Sequence, residues 1–75
     1  MKLLVKHTLK DVLALLKKEK KQVDITLSSG KSFTGIIQVV GDHCVSLKQT
    51  GQRSFFDAIF RIEDIVALEV KVRTA

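Results

Sequence analysis

Between Val23 and Leu47 the chain reads VDITLSSGKSFTGIIQVVGDHCVSL, and this stretch constrains the fold more than any other. Val23, Ile25 and Leu27 alternate with polar residues, the period of a strand with one buried face. Ser29-Gly30 supplies a tight turn. A long apolar run follows, interrupted by Gly35, and a third strand runs from about His43. A glycine inside a strand pattern marks a bend. The stretch therefore predicts a small, strongly bent antiparallel sheet.

The flanking segments extend this pattern. Thr8-Leu9-Lys10-Asp11 has the spacing of a helix-capping box, with Asp11 in place of the usual Glu or Gln. Leu9, Val12, Leu13 and Leu16 then fall on one helical face. Lys17, Lys18, Lys20 and Lys21 close the helix, where cations suit the C-terminal dipole. The helix is expected over about residues 8–20. Strands are expected at about 22–28, 31–40 with a kink at Gly35, 43–49, 53–60 and 65–71. Thr50-Gly51-Gln52 and Ile62-Glu63-Asp64 form the later turns. A helix followed by five short antiparallel strands predicts a mainly β fold, a five-stranded SH3-like barrel over about 22–72 within one domain, 1–75.

At 75 residues a lone core is marginal. A single cysteine allows no intramolecular disulfide, and no Cys/His cluster suggests a metal. Oligomerisation is the remaining common route to extra burial. Phe55, Phe56, Ala58, Ile59 and Phe60 crowd the fourth strand; Ile65, Val66, Ala67, Leu68, Val70 and Val72 crowd the fifth. One small barrel cannot bury both faces of both strands, and left bare they would be adhesive edges. Pairing between subunits, head to tail, would close a ring. The candidate interface is Phe55, Phe56, Ile59, Ile65, Val66 and Leu68; the alternative is an N-terminal segment covering one strand.

The formal net charge of +5 points to a polyanion, nucleic acid before acidic lipid, or else to a basic surface that serves solubility. Met1-Lys2-Leu3-Leu4-Val5 is too short for the apolar part of a signal peptide, and no run reaches membrane-spanning length. A cytoplasmic protein without membrane contact is expected. Two histidines, one cysteine and scattered carboxylates give no triad, no paired acids and no phosphate-binding glycine loop. No catalysis, cofactor or small-molecule substrate is expected.

The chain resembles the Sm-like family throughout its length, with the Hfq branch nearest. Leu9-Lys10-Asp11 and Lys17-Lys18-Glu19-Lys20-Lys21 are similar to the helix and basic run of Hfq. Val23, Ile25, Leu27, Gly30 and Gly35 match the family's first motif. Leu47-Lys48-Gln49-Thr50 resembles the end of the Hfq third strand, and Ala58-Ile59 part of its later signature. Ile59–Leu68, IFRIEDIVAL, resembles the second motif of other Sm-like proteins. The resemblance implies a homo-oligomeric ring that binds single-stranded RNA, six subunits by default and five or seven as alternatives. It also implies base stacking by His43 and Arg61, and phosphate contacts from Lys17, Lys18, Lys20 and Lys21 on the outer rim. Departures accompany it. Phe56 and Asp57 replace the pore lysine and histidine of Hfq, and Thr26 replaces an aromatic on the opposite face.

Each candidate has a plainer reading. His43 could be a surface loop residue, and Arg61 a salt-bridge partner of Glu63, Asp64, Asp57 or a neighbouring subunit. The lysines could be a solvated helix end. Cys44 is expected as a small core residue, and the phenylalanines as packing groups. Three functions follow: an RNA-binding ring; a ring-shaped scaffold for proteins; and a monomeric or dimeric SH3-like barrel.

Overall fold

The computed structural model describes residues 8–72 and opens at Thr8. The opening apolar residues, read above as too short for a leader, lie outside that range. The Thr8 hydroxyl accepts a hydrogen bond from the Asp11 backbone N–H at 3.2 Å and caps α1, Leu9–Glu19. The expected face is present: Leu13 and Leu16 are fully buried, with Leu9 and Val12 packed beside them. No helix among the described residues is long and apolar enough to cross a membrane.

α1 ends without a glycine. Lys20 takes the left-handed conformation, with φ 53°. Its N–H donates to the Lys17 carbonyl at 3.2 Å, and the Lys21 N–H donates to the Leu16 carbonyl at 3.3 Å. This is a Schellman-type ending with a lysine where glycine is usual.

Five strands follow: β1 Gln22–Leu27, β2 Ser32–Val40, β3 Cys44–Gln49, β4 Asp57–Arg61 and β5 Ile65–Val70. All neighbours are antiparallel, in the order β4-β3-β2-β1-β5. The expected class is observed, a helix leading into a bent antiparallel sheet. The hydrogen-bonded ladder is open between β4 and β5. Among the described residues, no strand pairs with the outer edge of either.

The core lies between α1 and the inner face of the sheet. Leu13, Leu16, Val23, Ile25, Ile37, Val45, Leu47, Ala58 and Phe60 form one buried cluster. Phe33, half-buried, packs against this cluster by stacking on Phe60, ring centroids 5.5 Å apart.

The register of β2 on β3 runs unbroken through Gly35 and shifts between Ile37 and Val39. Gly35 also serves close approach, since a Cβ there would lie 2.1 Å from the Lys48 carbonyl oxygen. Two expectations are corrected. The fourth strand starts at Asp57. Residues 51–56 form a 3-10 turn (Gly51–Arg53) and its exit, held by Ser54 N–H to Gly51 carbonyl and Phe56 N–H to Arg53 carbonyl. The other is Cys44, which is exposed. Val45 and Leu47 point inward, so alternation turns Cys44, Ser46 and Lys48 outward.

A left-handed backbone costs an L residue roughly 1–2 kcal/mol, partly offset by the greater unfolded freedom of glycine. Lys20→Gly should therefore raise stability by about 0.5–1 kcal/mol in urea unfolding, while Lys20→Ala should not. An equal gain from alanine would show that the lysine side chain, and not the backbone, is the source.

Candidate nucleic-acid interface

His43 and Arg61 are brought together by the pairing of β3 and β4. Cys44 stands opposite Arg61 in the register, so the turn before β3 lies beside the end of β4. The Ile62 N–H donates to the His43 carbonyl at 2.8 Å and fixes that turn against the connection into β5. Gly41 N–H closes the turn on the Cys44 carbonyl at 2.8 Å.

Both side chains line one open cleft with Leu9, Asp42, Ile62, Glu63 and Ile65, with a volume of about 610 Å³. That lies within the size range of ligand sites. The cleft combines apolar walls from α1 and β5, an imidazole, a guanidinium and two carboxylates.

The charges in it are already partnered. Arg61 Nε and Nη2 donate to the two carboxylate oxygens of Asp64, each at 3.0 Å. Arg61 Nη1 lies 2.9 Å from Glu63 Oε1. Asp64, then Glu63, hold the guanidinium above its usual pKa, so it is permanently charged. The plainer reading of Arg61 is thus realised through Glu63 and Asp64, and among the described residues Asp57 forms no ion pair with it. The two-point contact with Asp64 also fixes the plane of the guanidinium.

The second pair was not legible in the sequence. Lys10 Nζ donates to Asp42 Oδ1 at 2.7 Å and ties α1 to the turn carrying His43. The partners are 32 residues apart, so no local spacing announces the pair. Hydrogen bonding and charge from Lys10, and then the charge of His43, hold the Asp42 carboxyl below its ordinary value.

The helix-end lysines divide. Lys17, Lys18 and Lys20 are exposed and Lys21 is half-buried. Lys17 in the last turn of α1 and Lys20 just after it line a second cleft of about 550 Å³ with Ile36, Ile37, Gln38, Val39 and Lys48. Lys18 and Lys21 do not line it. Lys48, which sequence reasoning did not single out as a contact, completes a trio of cations with no acid in the lining. Its signal was present in strand parity: an outward lysine on β3, beside the β2 residues that α1 leaves uncovered.

The residues proposed for subunit contact also divide. Phe55 is 93% exposed and Ile59 74%; Val66 and Phe56 are 64% and 53% exposed. The Arg53 guanidinium lies 4.4 Å from the centre of the Phe56 ring. Ile65 and Leu68 are half-buried and pack on the core of their own chain. Among the described residues, no group of three or more His, Cys, Asp and Glu side chains could hold a metal ion.

The Lys10–Asp42 pair yields a titration test. The depressed carboxyl contributes stability above the unfolded-state pKa of Asp42, and loses it as pH falls through the lower folded value. Carboxyl NMR should place the Asp42 midpoint below 3.8, and Lys10→Met should move it upward. An unchanged midpoint in that variant would rule out Lys10 as the main cause.

No family model matches the sequence, and the search of curated proteins gives no match. Among solved structures the chain is similar to an Hfq protein from Anabaena sp.. The identity is 24% and the TM-score 0.65, covering 85% of this chain and all of that one. The chain has the Sm-like fold of that Hfq protein, an N-terminal helix on a bent sheet of five antiparallel strands.

Proposed function

We propose that this chain forms a non-catalytic, cytoplasmic, homo-oligomeric ring that binds single-stranded RNA. The observation that carries the reading is the cleft uniting His43 with a planar, fixed Arg61 on an Hfq-like fold. Imidazole and guanidinium planes both stack on unpaired bases. The Lys17–Lys20–Lys48 cleft adds cations without base-reading chemistry, which suits phosphate contacts. Lys18 and Lys21 extend that charge along the helix end.

Two open edges on one chain support the ring. The outer edge of β4 is complementary to the outer edge of β5 on a second copy, a head-to-tail contact that repeats until it closes. Phe56, Ile59 and Val66 would lose their exposure beside that seam, and Phe55 lies at its approach. Six subunits is the default by likeness to Hfq, with five or seven as alternatives. Six copies would carry about +30, enough to draw a polyanion from a distance. In sedimentation at micromolar concentration the protein should run at five to seven subunit masses. A stable species of one or two would overturn the ring.

The ion pairing of Arg61 favours a second reading, a ring-shaped scaffold for proteins, because the cleft lacks an unpartnered cation. RNA binding separates the two. Replacing Lys17, Lys18, Lys20 and Lys21 by alanine should weaken all short RNAs alike in fluorescence anisotropy. The slope of log affinity against log salt should flatten by roughly 0.7 for each phosphate that is no longer neutralised. Unchanged affinity would remove the lysine rim, and no RNA binding by the parent protein would leave the scaffold.

A further inference from the structure

Gln49 is the one buried polar side chain among the described residues, and it serves a surface turn. Its Nε2 donates to the Phe56 carbonyl at 3.1 Å. The Ser54 and Phe56 N–H groups close the same turn on the carbonyls of Gly51 and Arg53. A buried amide is costly unless it is bonded, so Gln49 commits core space to the shape of residues 51–56. What that shape displays is Phe55, 93% exposed, more than any other large apolar side chain among the described residues.

Phe55 precedes β4, so pairing of the β4 edge with a second copy does not use it. Its surroundings are cationic. The Arg53 guanidinium lies 4.4 Å from the centre of the Phe56 ring, and among the described residues it forms no ion pair. Asp57, the acid nearest in sequence, stands opposite Lys48 on β3. Lys48 in turn lines the cleft of Lys17 and Lys20. The turn is therefore one strand pairing away from that trio of cations.

We infer that the 51–56 turn is a stacking platform for an unpaired base, with Phe55 as the ring on which the base lies and Gln49 as the residue that positions it. The inference rests on the RNA-binding reading above and adds a contact outside both clefts. An exposed aromatic beside a row of cations is the general arrangement for a single strand, with phosphates on the cations and a base on the ring. Every base has a π face, so the contact tolerates any sequence. Because the turn is fixed before binding, little ordering cost remains. An apolar pocket on a protein would also accept an exposed phenylalanine. The unpaired charge of Arg53 and the net charge of +5 favour the polyanion.

The chain contains no tryptophan, so in Phe55→Trp the indole emission reports on position 55 alone. The test uses the intact protein, an eight-nucleotide RNA of mixed sequence, and heparin as a polyanion without bases. Before any ligand is added, the emission should be that of an indole in water. RNA should quench it over the same concentrations that raise the RNA anisotropy, and heparin should displace the RNA and restore the emission. Phe55→Ala should weaken RNA binding about five- to tenfold, the low end for one stacked base because the ring is open to water. Its heparin affinity and its sedimentation should match those of the parent. Blue-shifted emission without ligand, or a changed subunit number in Phe55→Ala, would assign the ring to contact between copies and overturn the inference. RNA binding with no quenching and no loss in Phe55→Ala would overturn it while leaving the lysine contacts intact. An equal loss of heparin and RNA in Phe55→Ala would also overturn it, since heparin has no base to stack. No RNA binding by the parent protein would overturn both this inference and the reading beneath it.

Discussion

A slip of one residue in β4 against β3 would turn Ala58 and Phe60 out of the core and Asp57, Ile59 and Arg61 into it. The observed register sets Val45 opposite Phe60 and Leu47 opposite Ala58 on the inner face. On the outer face it sets Lys48 opposite Asp57, an attractive cross-strand pair, and Cys44 opposite Arg61. The same choice that buries the apolar residues thus delivers the end of β4 to the turn holding His43. The cleft is a by-product of core packing, because the rows that hide the core fix where Arg61 emerges. Close approach at Gly35 serves the other side of β3, where the Lys48 carbonyl occupies the space a side chain would need.

Much of this frame is legible in the sequence where one physical rule acts alone. Thr8, the apolar face of Leu9, Val12, Leu13 and Leu16, and the alternation in β1 each specify their own local structure. Legibility fails where two rules compete. Arg53–Phe56 reads as strand because its aromatics favour one, yet Gly51 with φ 69° and the turn hydrogen bonds after it hold it as a turn. Cys44 reads as core because free cysteines are commonly buried, but strand parity governs and turns it outward. Of the cleft, His43 and Arg61 were legible through family resemblance. The Lys10–Asp42 tether was not, because helix and turn meet only in the folded chain. The clamp on Arg61 is local, two and three residues on, and was open in the sequence as an alternative to base contact.

The two clefts differ in electrostatic character. The Lys17–Lys20–Lys48 cleft has cations over an apolar floor of Ile36 and Val39, with no acid in its lining. On the proposed reading, its attraction for phosphate would be long-ranged and indifferent to base identity. Around the His43 cleft two cations, Lys10 and Arg61, meet three carboxylates, Asp42, Glu63 and Asp64, in close ion pairs.

The open edges of β4 and β5 link this chemistry to stability. A domain of this size buries a modest share of its surface, and its own core leaves Ile59 and Val66 in water. Seam formation between copies would bury them and complete both ladders, so folding and assembly would draw on the same residues. Stability would then depend on protein concentration, as it does for any fold completed by a second copy. The Arg61 clamp lies between the two edges, on the 3-10 connection Ile62–Asp64 that joins β4 to β5. Movement of either edge strand as a neighbour docks would be felt there first, at the guanidinium plane on which a base would stack.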